Sequence, residues 1–137
     1  MTIRHILCAV DGSAPSLRAV ALSCQIAKGL NVQLTILSVR SFHTDRTAAA
    51  GVQTPEEVDH ILAGALEVVR LNEISDAKSI QLSARDAAVA IADYADEHDI
   101  GLIFIGSTGK DALKRFAFGS TSMDLLRKSL CPVTIVH

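Results

Sequence analysis

The chain predicts a single α/β domain built on a doubly wound, five-stranded parallel sheet of order 3-2-1-4-5, with helices on both faces. Three observations carry this: apolar runs at five places in 137 residues, amphipathic helical segments between successive runs, and turn residues where they meet. Parallel strands require crossover connections, and right-handed crossovers distribute the helices over both faces.

The first strand lies in Ile3 to Val10, where Ile6, Leu7, Cys8, Ala9 and Val10 form an unbroken apolar run stopped by Asp11, Gly12 and Ser13. Such a run fits a parallel strand buried on both faces. Ser13 is placed to cap a helix on which Leu17, Val20, Ala21, Cys24 and Ala27 recur at helical spacing until Gly29. Val32, Leu34, Ile36 and Val39 mark the second strand. Arg40 to Thr54 is then a 15-residue connection of weak periodicity, a length uncommon unless the segment is mobile or covers a site. Thr54, Pro55 and Glu57 form a capping box with proline at the first helical position, ahead of a helix through Val58, Ile61, Leu62, Ala65 and Val69.

Ile80 and Leu82 mark a short third strand, the weakest of the five. A helix follows with Ala88, Ile91, Ala92 and Ala95 on one face, while Asp86, Asp93, Asp96 and Glu97 read as a solvated acidic face. Leu102 to Ile105 is a fully apolar fourth strand. Gly106 to Gly119 separates it from a helix over about Ser120 to Lys128, and Pro132 opens a last strand, Val133 to Val136. The first and fourth strands, apolar on both faces, belong at the centre, and the short or proline-led third and fifth belong at the edges. In the resulting order the connections reverse between strands 1 and 4. A ligand is expected in the crevice outside their carboxyl ends, beside Asp11, Gly12 and Gly106.

Composition narrows the function classes. Thirteen Lys and Arg against 15 Asp and Glu leave a net charge of −2, and with no Trp and one Tyr there is neither a basic stripe nor a stacking platform for nucleic acid. No apolar run reaches the length of a membrane-spanning helix, and residues Met1 to Val10 lack the features of a secretion signal, so a cytoplasmic protein is expected. Cys8, Cys24 and Cys131 lie apart in apolar stretches and read as small buried hydrophobes. His5, His43, His60, His98 and His137 show no metal-ligand spacing and are assigned surface or core roles.

The chemistry concentrates after the fourth strand. Gly106, Ser107, Thr108 and Gly109, then nine residues from Lys110 through Phe118, then Gly119, Ser120, Thr121 and Ser122 have the form G-x2-G-x9-G-S. Glycines permit close backbone approach, and a helix N-terminus favours an anion. Lys110, Lys114 and Arg115 against Asp111 add local positive charge, which suits phosphate. Read blandly, the glycines only turn the chain, Ser120 or Thr121 only caps a helix and the cations are solvated. A Walker loop is disfavoured, since Phe104 and Asp111 stand where it needs Gly and Ser or Thr, and the Asp11 to Ser16 turn carries no GxGxxG fingerprint. Asp11 itself has a bland reading as the closing residue of an Asx-turn.

With these features the chain resembles the ATP-binding branch of the universal stress protein family. The resemblance runs over residues 1–137, a single universal stress protein domain. It is carried by Ile6-Leu7 leading into Val10-Asp11-Gly12-Ser13, by Asp99 through Ser107, by the G-x2-G-x9-G-S spacing and by Cys131-Pro132-Val133. It implies an adenine nucleotide alpha hydrolase-like, Rossmann-like fold that binds ATP, with Mg²⁺ arriving together with the phosphates. Gly106 and Gly109 would lie against ribose and phosphates, and Gly119, Ser120, Thr121 and Ser122 would hold the phosphate chain. Asp11, with the backbone of Ala9 and Val10, would face the adenosine, and Val39 occupies the family's adenine-contacting position. The family's Gly-x-Pro turn after the third strand is missing from Ser83-Ala84-Arg85-Asp86-Ala87, which points to a reshaped turn there.

The implied role is a nucleotide-dependent regulatory module of the stress response, dimerising through its last strand and acting on a protein partner. An alternative is an ATP hydrolase or a phosphoryl or adenylyl transferase, for which Asp11 and Asp111 are the only nearby candidate bases. A dimeric interaction protein without nucleotide is the other alternative, against which the motif glycines and Ser120 argue.

Overall fold

The computed structural model describes residues 2–42, 54–107 and 120–137. Five strands, β1 (His5–Ala9), β2 (Gln33–Ser41), β3 (Lys78–Ala84), β4 (Leu102–Gly106) and β5 (Val133–Val136), alternate with α1 (Ala14–Leu30), α2 (Pro55–Leu71), α3 (Ala87–Glu97) and α4 (Ser120–Lys128). All neighbouring strands pair in parallel in the order β3-β2-β1-β4-β5, as the apolar runs predict. In β1, Ile6 lies opposite Leu34 of β2 and Leu102 of β4, which sets the apolar stretches side by side.

The sheet separates two cores because successive side chains of a strand point to opposite faces. Ile6, Cys8, Ile36 and Phe104 pack with Val20 and Cys24 of α1 and with Val58 and Ala65 of α2. Leu7, Leu37, Ile103 and Ile105 pack on the other face with Ala88, Ile91 and Ala95 of α3 and Leu125 of α4. Each large side chain buried this fully is worth about 1.5–3 kcal/mol.

The helix ends follow the expected chemistry. Ser13 Oγ accepts the Ser16 N–H at 3.2 Å, and Pro15 sits in the first turn of α1. Asn31 closes α1 in the left-handed region at φ 55°, its N–H reaching back to the carbonyls of Ala27 and Lys28. Thr54 Oγ1 accepts the Glu57 N–H at 3.1 Å at the start of α2.

Several local expectations need correction. Arg40 and Ser41 belong to β2 rather than to the connection, because they pair with Ser83 and Ala84 of β3. That pairing also makes β3 a seven-residue strand. Asp86 is exposed like Asp93, Asp96 and Glu97, as expected, but it is also the N-cap of α3, accepting the Val89 N–H at 3.2 Å and the Lys128 ammonium at 3.2 Å. Here a capping aspartate, not Gly-x-Pro, shapes the turn after β3. Cys8 and Cys24 are buried as expected, whereas Cys131 is only half-buried.

Candidate functional site

At the carboxyl end of β1 the chain is held tightly. Val10 donates its N–H to the Leu37 carbonyl at 2.9 Å, and its own carbonyl accepts Ser38 Oγ at 2.9 Å, so β2 engages both polar groups of this backbone unit. Ala9 and Val10 are buried and Asp11 is half-buried. Asp11 Oδ1 accepts the Ser13 N–H at 2.9 Å, an Asx-turn that aims the chain into α1. Gly12 then takes φ +84°, and a Cβ there would stand 3.2 Å from Ile61 of α2, so conformation and packing both select glycine.

Gly106, at the end of β4, has a different reason from the one its motif suggests. A Cβ on it would lie 2.7 Å from Ser16 N and 2.9 Å from the Pro15 carbonyl carbon. Glycine is needed so that the first turn of α1 can lie on β4, and this packing alone accounts for it. Ser107 continues β4 by donating its N–H to the Val136 carbonyl at 2.7 Å, and its own carbonyl accepts Ser122 Oγ at 3.3 Å. The buried Ser122 therefore ties the first turn of α4 to the end of β4. Ser120 is exposed beside it and Thr121 half-buried.

Two helix N-termini thus meet the carboxyl edge where the sheet order reverses. Neither α1 nor α4 carries an acidic residue in its first turn, whereas α2 carries Glu56 and Glu57. The free N–H groups and dipole of an uncompensated first turn favour a negatively charged ligand. The donor set suits phosphate in chemical character.

Of the residues expected at a site, Asp11, Gly106, Ser120, Thr121 and Ser122, with the backbone of Ala9 and Val10, come to this edge. Val39 lies on β2 at the same end of the sheet, its side chain packed with Ile80 and Leu82 on the α3 and α4 face. Gly109, Gly119, Lys110, Asp111, Lys114 and Arg115 lie outside the described residues, as does His43. Among the described residues there is no group of three or more His, Cys, Asp or Glu arranged to hold a metal ion, and no helix is long and apolar enough to cross a membrane. His5 Nε2 lies 2.7 Å from Thr35 Oγ1, and His98 stacks on Tyr94 with ring centroids 3.9 Å apart, both at the opposite end of the sheet from Asp11.

Sequence reasoning passed over Ser38, whose hydroxyl fixes the Val10 carbonyl, and Arg40, whose Nε is buried with no hydrogen-bond partner among the described residues. The available signal was a polar Ser and a cation closing an otherwise apolar strand.

Comparison with known proteins agrees with this architecture. The chain is 30% identical over 144 residues to the universal stress protein YxiE of Bacillus subtilis, covering 96% of this chain and 97% of that one. A universal stress protein crystallised in complex with cAMP superposes with a TM-score of 0.78 at 26% identity, covering 100% of this chain and 99% of that one. The universal stress protein UspA from Lactobacillus plantarum gives a TM-score of 0.74 at 26% identity over 100% and 99% of the two chains. The model of the universal stress protein family matches residues 2–137, and the chain belongs to that family.

Proposed function

We propose that this universal stress protein binds ATP at the reversal between β1 and β4 and works as a nucleotide-dependent regulatory module of the stress response. The observation that carries the reading is the Ser122–Ser107 hydrogen bond at 3.3 Å, which fastens an acid-free helix N-terminus to the edge where the strand order reverses. An anion has reason to bind there. The related structure that holds cAMP, at 26% identity, supports an adenine nucleotide as the anion. In this reading Ser120 and Thr121 hold the phosphates together with Gly109 and Gly119 of the glycine motif, and Asp11 and Val39 border the adenosine. Mg²⁺ enters with the phosphates. The Asp11 carboxylate, one of two candidate bases, accepts the Ser13 N–H through Oδ1 in the turn that leads into α1. The module acts in the cytoplasm, as a homodimer joined through β5, on a regulatory protein partner.

Thermal unfolding with and without ATP tests the site. At about 100 times its dissociation constant, ATP should stabilise the fold by about 2.7 kcal/mol and raise the melting midpoint by several degrees. Gly119→Val should abolish that shift, since a branched side chain crowds the backbone the phosphate must approach. The melting point of the variant without ligand separates lost binding from lost folding. A wild-type chain that shows no shift, or a folded Gly119→Val variant that keeps all of it, contradicts the proposal.

A further inference from the structure

Arg40 presents a buried donor that the fold does not use. Among the described residues its Nε is the only buried side-chain nitrogen or oxygen without a hydrogen-bond partner. A buried N–H left without an acceptor is unfavourable, and native structures leave few of them. No ion pair among the described residues involves Arg40. Its neighbour across the sheet, Ser83 of β3, is uncharged, and the nearby Gln81 of β3 donates instead to the Pro55 carbonyl.

The position of Arg40 relates it to the crevice. Leu34 and Ile36 belong to the core under α1 and α2, and Leu37 and Val39 to the core under α3 and α4, so strand alternation places Ser38 and Arg40 on the α1 and α2 face. Ser38 touches the Val10 carbonyl at the end of β1. Arg40 stands two residues further on, about 7 Å along the same strand and beyond the carboxyl end of β1. It adjoins Val39 and lies two strands, about 10 Å, across the sheet from Gly106 on β4. In the nucleotide reading above, with the phosphates at the first turn of α4 and Val39 bordering the adenosine, the base lies toward β2.

We propose that Arg40 is a specificity-determining residue of this crevice, its Nε–H donating to a ring nitrogen of a bound purine base. This rests on the nucleotide reading above and deepens it by naming what selects the base. The buried donor without a partner is the recessed Nε. A flat ring edge with an in-plane lone pair suits a recessed donor better than a tetrahedral phosphate, which pairs with the terminal fork.

The test measures binding of ATP, 1-deaza-ATP, 3-deaza-ATP and 7-deaza-ATP to the wild-type chain, Arg40→Met and Arg40→Lys. Methionine keeps much of the apolar stem without a donor, and lysine keeps the charge but moves it off the Nε position. Wild type should bind one of the three analogues about tenfold more weakly than ATP. Arg40→Met and Arg40→Lys should both bind ATP about tenfold more weakly than wild type and lose that discrimination, while the variants' own melting points report any change in folding. Discrimination that survives in Arg40→Met, or ATP affinity restored in full by Arg40→Lys, overturns the assignment while leaving nucleotide binding intact. A wild-type chain that binds none of the four overturns the nucleotide reading and this inference together.

Discussion

Single residues at the two ends of the sheet do different work. Gly106 lies where α1 crosses β4, and Gly106→Ala would force a Cβ to within 2.7 Å of backbone at Ser16. Backbone cannot swing aside as a side chain does, so a loss of about 1–3 kcal/mol is expected in denaturant unfolding. At the opposite end, burial, with Lys78 and His98 nearby, holds the His5 imidazole below its ordinary 6.5. The unfolded chain then takes up a proton that the folded chain resists. Stability from this group is complete above pH 6.5 and declines as the pH falls below 6.5 toward the folded value, beyond which it falls no further. His5→Gln keeps a polar partner for Thr35 but does not titrate, so its melting midpoint should lose that part of the decline. A variant whose pH profile overlays the wild type over this range would remove His5 from the acid response.

The elements differ in how plainly their sequences announce them, and the reason is burial. β1 and β4 are flanked on both sides by other strands and covered on both faces by helices, so their apolar runs are unbroken. β3 has one strand neighbour and exposes Lys78, Ser79 and Ser83, so only Ile80 and Leu82 stand out. Arg40 and Ser41 continue β2 through backbone pairing with β3, which leaves no apolar trace. Asp86 resembles its acidic neighbours in sequence, yet geometry makes it a cap. Val89 N–H and Lys128 together hold its carboxyl below the usual range, and that stability is lost in acid as the pH falls through the folded value. Asp86→Ala should cost about 1 kcal/mol of stability in denaturant unfolding. Asp86→Asn keeps a capping oxygen and should cost less, its deficit measuring the exposed Lys128 pair, worth under about 1 kcal/mol. Equal losses in the two variants would mean that the cap contributes nothing.

At the scale of the whole molecule, the strand order and the reversal between β1 and β4 were legible because they follow from which strands are apolar on both faces. The reason for Gly106 was not, since α1 and β4 meet across about ninety residues of sequence, and neither was the burial of Ser122. The same topology leaves two sheet edges, and they are unequal. β3 presents Lys78, Ser79, Gln81 and Ser83, the charged and polar residues that discourage edge pairing. β5 reads Val-Thr-Ile-Val, is half-buried throughout, and follows the exposed Leu126 and Leu130, the latter 85% accessible. The carbonyls of Pro132, just before β5, and of Val136 accept from Ile103 of β4 and from Ser107, just after it, so by strand alternation the backbone groups of Val133 and Ile135 point outward. An edge whose outward backbone groups pair with no strand among the described residues, and whose side chains are apolar, is a template for a second copy, and a twofold axis lets the same strand serve both chains. Sedimentation at micromolar concentration should therefore give a dimer, and charge placed beside the strand by Leu130→Lys should weaken it while β4 pairing keeps the monomer folded. A wild-type chain that sediments as a monomer contradicts the β5 interface, as does a Leu130→Lys variant that dimerises as tightly as wild type.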